Sequence, residues 1–489
     1  MERLTIVGGG SAGWFAALLI SKTKPNLQVD LIESSDIPTV GVGEGTTSKV
    51  LEIISREKYG LSVNEFIHST DALPKMGINF IDWSADAEWQ YISPIGASIT
   101  PRTYIDYSVY AAPLFGKDIT HCNESAYYAE SGHTNLIRKF DGSLEYDEFF
   151  PALHLDAGKL VQYLRSKSQV NHIVDTVLEV RRNGSDITSL LLEGRGEYTS
   201  DFYIDCTGFN RQLIEGEWID YSHYLPIDRG MPFRLECDYY SEKHSYTNAV
   251  AMDAGWVWEI PTKERIGRGY CYSSKFTDEQ TAIRELERKY NTGIEKIKSI
   301  EFTSGRLKDV MSGNCLALGL SAAFFEPLQA TSLHCTLQQL DEFIFTFLQN
   351  DQILKDPISV DAFNKRYARM YDDMKDFIFI HYTGGKKNME FWQHFTKIEY
   401  PEQVSRLMHF HDVRLLRDYD IQSYHGHAGI GLWIPTLIGL GHYNPDTVRR
   451  VLESDIDWTV IETAIDSFKE QIDRKIVQRN YQSIKNLVL

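Results

Sequence analysis

The chain has 489 residues, 43% of them hydrophobic, enough to build a large core and more than one compact unit. Its formal charge of −18 argues against nucleic acid or an anionic membrane surface as a partner, and the longest largely apolar run, Ala428 to Gly441, is too short to span a bilayer. Six cysteines, at 122, 206, 237, 271, 315 and 335, form no CxxC pair; this spacing supports neither a zinc site nor a disulfide framework and points to a reduced, cytoplasmic setting.

The N-terminus enters a predicted strand at once, which leaves no room for a signal peptide. RLTIV runs into Gly8-Gly9-Gly10-Ser11-Ala12-Gly13, followed by the helix-compatible WFAALLI and a second apolar strand, LQVDLIE. In this Gly-x-Gly-x-x-Gly unit Gly8 supplies a tight turn, Gly10 admits a pyrophosphate, and Gly13 lets helix pack on strand. Phosphates would sit at the helix start, where unpaired N–H groups favour negative charge. Glu33, about twenty residues on, is placed to bond ribose hydroxyls. The unit predicts dinucleotide binding and leaves NAD or FAD open.

Glycines 41, 43 and 45 then make a strap rather than a helix, and Thr46 to Ser48 offer N-caps for a helix through Ile54. Met76, Ile78 and Phe80 alternate as in a half-buried strand. Lys75 stands at its entrance, where a lysine is ordinarily solvated. Residues 91–110, rich in Tyr, Ser, Pro and Gly, read as loops over a cavity. HLDAGKLVQYLRSK, from His154, reads as an amphipathic helix, and DFYIDCTGF as an apolar strand ending at Thr207-Gly208. Strands around Cys237 and from Gly255 to Tyr272 suggest an antiparallel layer. CLALGL, residues 315–320, is one more buried strand; SAAFFEPLQATS leads from it to a helix from about Leu333. Beyond 340 the pattern is mainly helical.

Gly255-Trp256-Val257-Trp258-Glu259-Ile260-Pro261, taken with GGGSAGW, resembles the signature pair of the flavin-dependent tryptophan halogenases. VGVGEGT, LPKMGINFIDW, HLDAGKLVQYL, DCTGF, GLSAAFFEPLQATS and HYTGG…FW match in the same order over roughly residues 1 to 440. The resemblance implies an α/β, Rossmann-like FAD-binding fold of the flavin-monooxygenase type with an added antiparallel sheet. It divides the chain into residues 1–340, which bind FAD and carry substrate-side loops at about 75–150, and a helical substrate-capping part, 341–489. Reduced FAD, supplied by a separate flavin reductase, and oxygen would oxidise halide to hypohalous acid. Lys75 would relay the halogen to a small electron-rich aromatic substrate. By resemblance, Gly8, Gly10, Ser11, Ala12, Gly13 and Glu33 contact FAD, as does the strap with Val40, Gly41, Gly43 and Glu44. Leu320 and Leu333 flank the flavin, Thr331 and Ser332 bind halide, and Trp256 and Trp258 keep organic substrates from the flavin. No metal is implied, and a homo-oligomer is left open.

The chain departs from the family pattern near Lys75. Where relatives carry a glutamate, Gln329 keeps hydrogen-bonding capacity without charge, and Ala330 replaces a serine. Ser93, Pro94 and Ile95 stand where His-Pro-Phe grips indole, and the Tyr-Tyr…Glu set for an amino acid's charged ends has no clear counterpart. A roomier pocket for an arene other than free tryptophan is expected. A flavin monooxygenase and a non-catalytic FAD-binding homologue are the competing readings.

Overall fold

A computed structural model describes residues 1–35, 43–84, 90–95, 105–139, 143–236, 239–385, 388–421, 428–455 and 458–487. The strap residues Val40 and Gly41, and also Cys237, lie outside the described residues. Two compact units emerge, each assembled from separated stretches. The first comprises Met1–Ala72, Leu155–His223 and Phe302–Asp372; the second comprises Leu73–His154, Tyr224–Glu301 and Asp373–Leu489.

The first unit is built on a six-stranded sheet in the order Asn171–Val174, Gln28–Glu33, Arg3–Val7, Phe202–Asp205, Cys315–Ala317, Met311–Ser312. Five strands are parallel and the short last one is antiparallel. Leu4 to Val7 are buried without alternation, as expected of a strand covered on both faces. The helix Ser11–Thr23 buries every residue from Gly13 to Ser21, so it is a core helix and not an amphipathic surface one. Gly8, Glu33 and Cys206 gather where the parallel strands end, the usual ligand side of such a sheet.

The second unit carries the antiparallel layer. Arg229–Arg234, Ile266–Tyr272, Gly255–Pro261 and Tyr246–Met252 are antiparallel neighbours; Gly77–Ile81 joins Tyr246–Met252 in parallel, and Gln90–Pro94 adds the edge. One face packs Val250, Val257, Tyr270 and Tyr272 on Ala282 and Leu286 of the helix Glu279–Tyr290. Register places Phe80, Tyr91, Trp256 and Trp258 on the other face. There Phe80 stacks on Tyr91 at 4.9 Å and Trp83 meets Trp392 edge-on at 5.3 Å. The Trp83 and Trp392 indoles donate to the carbonyls of Ala249 and Met252, both at 2.8 Å.

Three local expectations are corrected. The 76–80 strand is interrupted at Met76 and buried on both faces, because Phe80 packs on Tyr91 and His381 on one side and Ile81 packs against the Val250–Tyr270 cluster on the other. Of residues 91–110, read as loops, 91–94 belong to the strand Gln90–Pro94, where stacking of Tyr91 on Phe80 outweighs the nearby Ser and Pro, and 105–110 to the helix Ile105–Ala111. His154 belongs to the strand Ala152–Asp156; the helix starts at Ala157, where the Asp156 carboxylate caps it by accepting from the Lys159 N–H at 3.0 Å.

Trp258 lies opposite Gly269, and a Cβ at 269 would come within 2.0 Å of its ring. Gly269→Ala is therefore expected to destabilise the fold by about 1–3 kcal/mol. A urea-unfolding midpoint equal to wild type would show instead that Trp258 has room to shift.

Candidate active site

In the first unit the turn Gly8–Gly13 is shaped by what it cannot contain. Gly8 has φ +116°, and a Cβ there would meet the Cys206 carbonyl oxygen at 2.2 Å; one at Gly13 would meet the Gly8 carbonyl oxygen at 1.9 Å. Gly9, whose role sequence reasoning missed, makes room for the Glu33 carboxylate, since its Cβ would lie 1.5 Å from Oε2. Gly10 alone faces open space, and as N-cap of the helix Ser11–Thr23 it offers no side chain to the first N–H groups. An uncapped helix start, an open glycine and a nearby carboxylate fit the pyrophosphate and ribose of a dinucleotide.

Asp205, inside the DCTG segment, is fully buried and ties this end of the sheet together. Its carboxylate accepts from the Thr207 N–H at 2.9 Å, the Leu213 and Ile214 N–H groups at 2.8 and 2.9 Å, and the Ser321 hydroxyl at 3.1 Å. Ser321 closes the turn Gly319–Ser321, and a Cβ on Gly319 would lie 2.7 Å from that of Ala12. Leu320 is thus held beside the glycine turn. A cavity follows, lined by Gly319, Phe324, Phe325, Ser332, Thr336 and Tyr371.

Gln329 is buried in the turn Pro327–Gln329, and Ala330 adopts φ +53°, the left-handed region. The helix Thr331–Glu342 begins directly after it, without a side-chain cap. Thr331 is buried and Ser332 exposed at that start, with Leu333 buried behind them. The end of the strap is tied to the same helix, for Thr47 Oγ1 and His334 Nδ1 are 3.1 Å apart. Burial, and then the charge of Asp156, pushes the Glu44 carboxyl up to about 7.

The second unit holds the remaining residues. Lys75 is only 1% exposed, and burial brings its amine down to about 7. Leu73–Lys75 pairs antiparallel with Ala152–Asp156, with Leu73 opposite His154 and Lys75 opposite Ala152. His154 Nε2 lies 2.8 Å from Thr247 Oγ1; burial, and then the charges of Lys75 and His244, hold its imidazole well below the usual range. Two residues beyond Lys75, Gly77 faces Pro94 and Ile78 faces Ser93, while the Ile95 N–H donates to Ser125 Oγ at 3.0 Å. Lys75 thus ends one strand two residues before the next, Gly77–Ile81, begins, and that second strand pairs with the Ser93–Pro94 segment. Trp256 and Trp258 are both buried, their rings 6.3 Å apart and edge-on. Among the described residues no group of three or more His, Cys, Asp or Glu side chains could hold a metal, and no helix is long and apolar enough to cross a membrane.

The tryptophan halogenase family model matches residues 3–445. Tryptophan 7-halogenase RebH from Lentzea aerocolonigenes is 29% identical over 438 residues, covering 80% of this chain and 78% of that protein. The crystal structure of tryptophan 6-halogenase SttH from Streptomyces toxytricini is similar with a TM-score of 0.86 at 25% identity, covering 99% and 98% of the two chains. Xcc4156, a flavin-dependent halogenase from Xanthomonas campestris, gives a TM-score of 0.85 at 26% identity over 99% and 97%. Flavin-dependent halogenases draw on a separate flavin reductase and act on an aromatic substrate. With the family matched along almost its whole length, and with a dinucleotide turn at the head of its parallel sheet, the chain belongs to the tryptophan halogenase family and is an FAD- and halide-using halogenase.

Proposed function

We propose that this halogenase delivers oxidised halogen through Lys75 to an electron-rich arene of the indole or phenol class, and that free tryptophan is not that arene. The observation that carries the reading is the burial of Lys75, which leaves its amine largely uncharged above about pH 7. Reduced FAD, when bound, supplies with oxygen the oxidation that converts halide to hypohalous acid. Gly8, Gly10, Ser11, Ala12 and Gly13 would hold the pyrophosphate and Glu33 a ribose hydroxyl. The strap, through Val40, Gly41, Gly43 and Glu44, and Leu320 and Leu333 would border the flavin. Thr331 and Ser332 would hold halide at the uncapped helix start. Trp256 and Trp258 would keep the arene from the flavin.

At the substrate end, neutral Nζ either takes the halogen from hypohalous acid, releasing water, or donates a hydrogen bond to the acid's oxygen. The arene then accepts the halogen and loses its ring proton. Gln329 takes part by hydrogen bonding alone, and the missing negative charge favours neutral Lys75. Ser93, Pro94 and Ile95 line a pocket without the usual ring clamp. Residues 1–340 are assigned to FAD binding and 341–489 to covering the substrate, in a cytoplasmic protein with neither nucleic acid nor membrane as partner.

With FAD, a flavin reductase, NADH and halide, mass spectrometry of an indole and phenol panel is expected to show halogenated product. Lys75→Ala should cut that product by about 100-fold while sparing halogenation of a freely diffusing diketone; undiminished arene product would remove Lys75 from the mechanism. Halogen transfer should rise with pH through about 7 as the ammonium is lost. The unfolded lysine titrates near about 10.4, so the folded chain binds fewer protons between the two values and stability rises with pH in that window. Lys75→Met is accordingly expected to raise Tm more at pH 6 than at pH 10, whereas equal shifts would contradict a desolvated amine. Gln329→Glu should move the rising limb to higher pH and leave Lys75 indispensable; arene product from the Gln329→Glu, Lys75→Ala double variant would refute that assignment.

A further inference from the structure

We infer that His172 is a positioning residue for the cofactor, holding the Glu33 carboxylate in the orientation that receives a ribose hydroxyl. The inference rests on the ribose role proposed for Glu33. Asn171–Val174 runs parallel to Gln28–Glu33 at the sheet edge, with His172 beside Leu31 and Val174 beside Glu33. Alternation puts the His172 and Glu33 side chains diagonally on one face. His172 Nε2 donates to Glu33 Oε1 at 2.6 Å, and the imidazole packs edge-on to Trp14 with ring centroids 5.3 Å apart. The second oxygen, Oε2, occupies the space that a side chain at Gly9 would fill. One carboxylate oxygen is therefore fixed by the imidazole while the other is laid over the dinucleotide turn.

Each carboxylate oxygen accepts about two hydrogen bonds, so Oε2 keeps capacity for a hydroxyl. The pair is not sealed in the core: the Glu33 side chain is 25% exposed and that of His172 18%. Ion pairs this close to water add little to stability; the consequence of this one lies in the direction it gives Oε2. Without the imidazole, the carboxylate could rotate away from the turn, and the ligand would bear the entropy of reordering it.

The test is a double-mutant cycle on FAD affinity, read by flavin fluorescence on the full-length chain without turnover. His172→Phe keeps a ring against Trp14 but removes the donor, and should weaken FAD binding by about tenfold. His172→Gln, which restores a donor, should bind close to wild type. Glu33→Ala should weaken binding, and adding His172→Phe to it should cost nothing further. If the two losses multiply independently, or if His172→Phe binds FAD as wild type does while Glu33→Ala does not, the positioning role is overturned and the ribose role of Glu33 stands. If Glu33→Ala binds FAD normally, the ribose role fails and the inference falls with it.

Discussion

Taking an ammonium group out of water costs several kcal/mol, and a lysine held at 1% exposure avoids much of that cost by releasing its proton near neutrality. That constraint explains the surroundings of Lys75. Its strand is paired with Ala152–Asp156, and it is electrostatically coupled to another base, His154, held in its neutral form. On one face of the second unit's sheet Phe80 stacks on Tyr91, and the Trp83 and Trp392 indoles donate to backbone carbonyls. Burial of this kind disfavours the ammonium form.

The first unit solves the opposite electrostatic problem. A dinucleotide brings negative charge, and the uncapped start of a buried helix offers backbone N–H groups that suit it. This is consistent with a net charge of −18, because a site built from backbone dipoles needs no basic surface. Asp205 makes the arrangement stiff. With its oxygens accepting from three backbone N–H groups and from side chains, the loops on either side of the glycine turn have one shared anchor.

The glycine turn was legible from sequence because its determinants are local: strand, turn, helix and acid follow one another within residues 3–33. The burial of Lys75 was not, because it depends on pairing with residues almost eighty positions away. Without the family resemblance it reads as an ordinary solvated lysine. The helix reading from His154 failed by three residues, since apolar spacing does not distinguish a strand that runs into a helix from a longer helix, and only the Asp156 cap marks the join. The contacts of Gly9 with Glu33, of His172 with Glu33 and of Thr47 with His334 were missed for a related reason: each joins residues far apart in sequence, and no local pattern announces it. The strand formers Tyr91 and Ile92 could have signalled the 90–94 strand, had the surrounding Pro and Gly been given less weight.

Ala330 bears on how far the departures around Gln329 reach. A non-glycine residue at φ +53° carries a penalty of about 1–2 kcal/mol, and alanine has no side-chain oxygen with which to offset it. The conformation is nevertheless kept, immediately before a helix whose first N–H groups have no side-chain cap. The backbone here sets the direction of those N–H groups, and neither Gln329 nor Ala330 brings them a charge or a hydroxyl. An anion held by backbone dipoles would lose little by these replacements, whereas a step that moves a proton through a carboxylate would lose its acceptor.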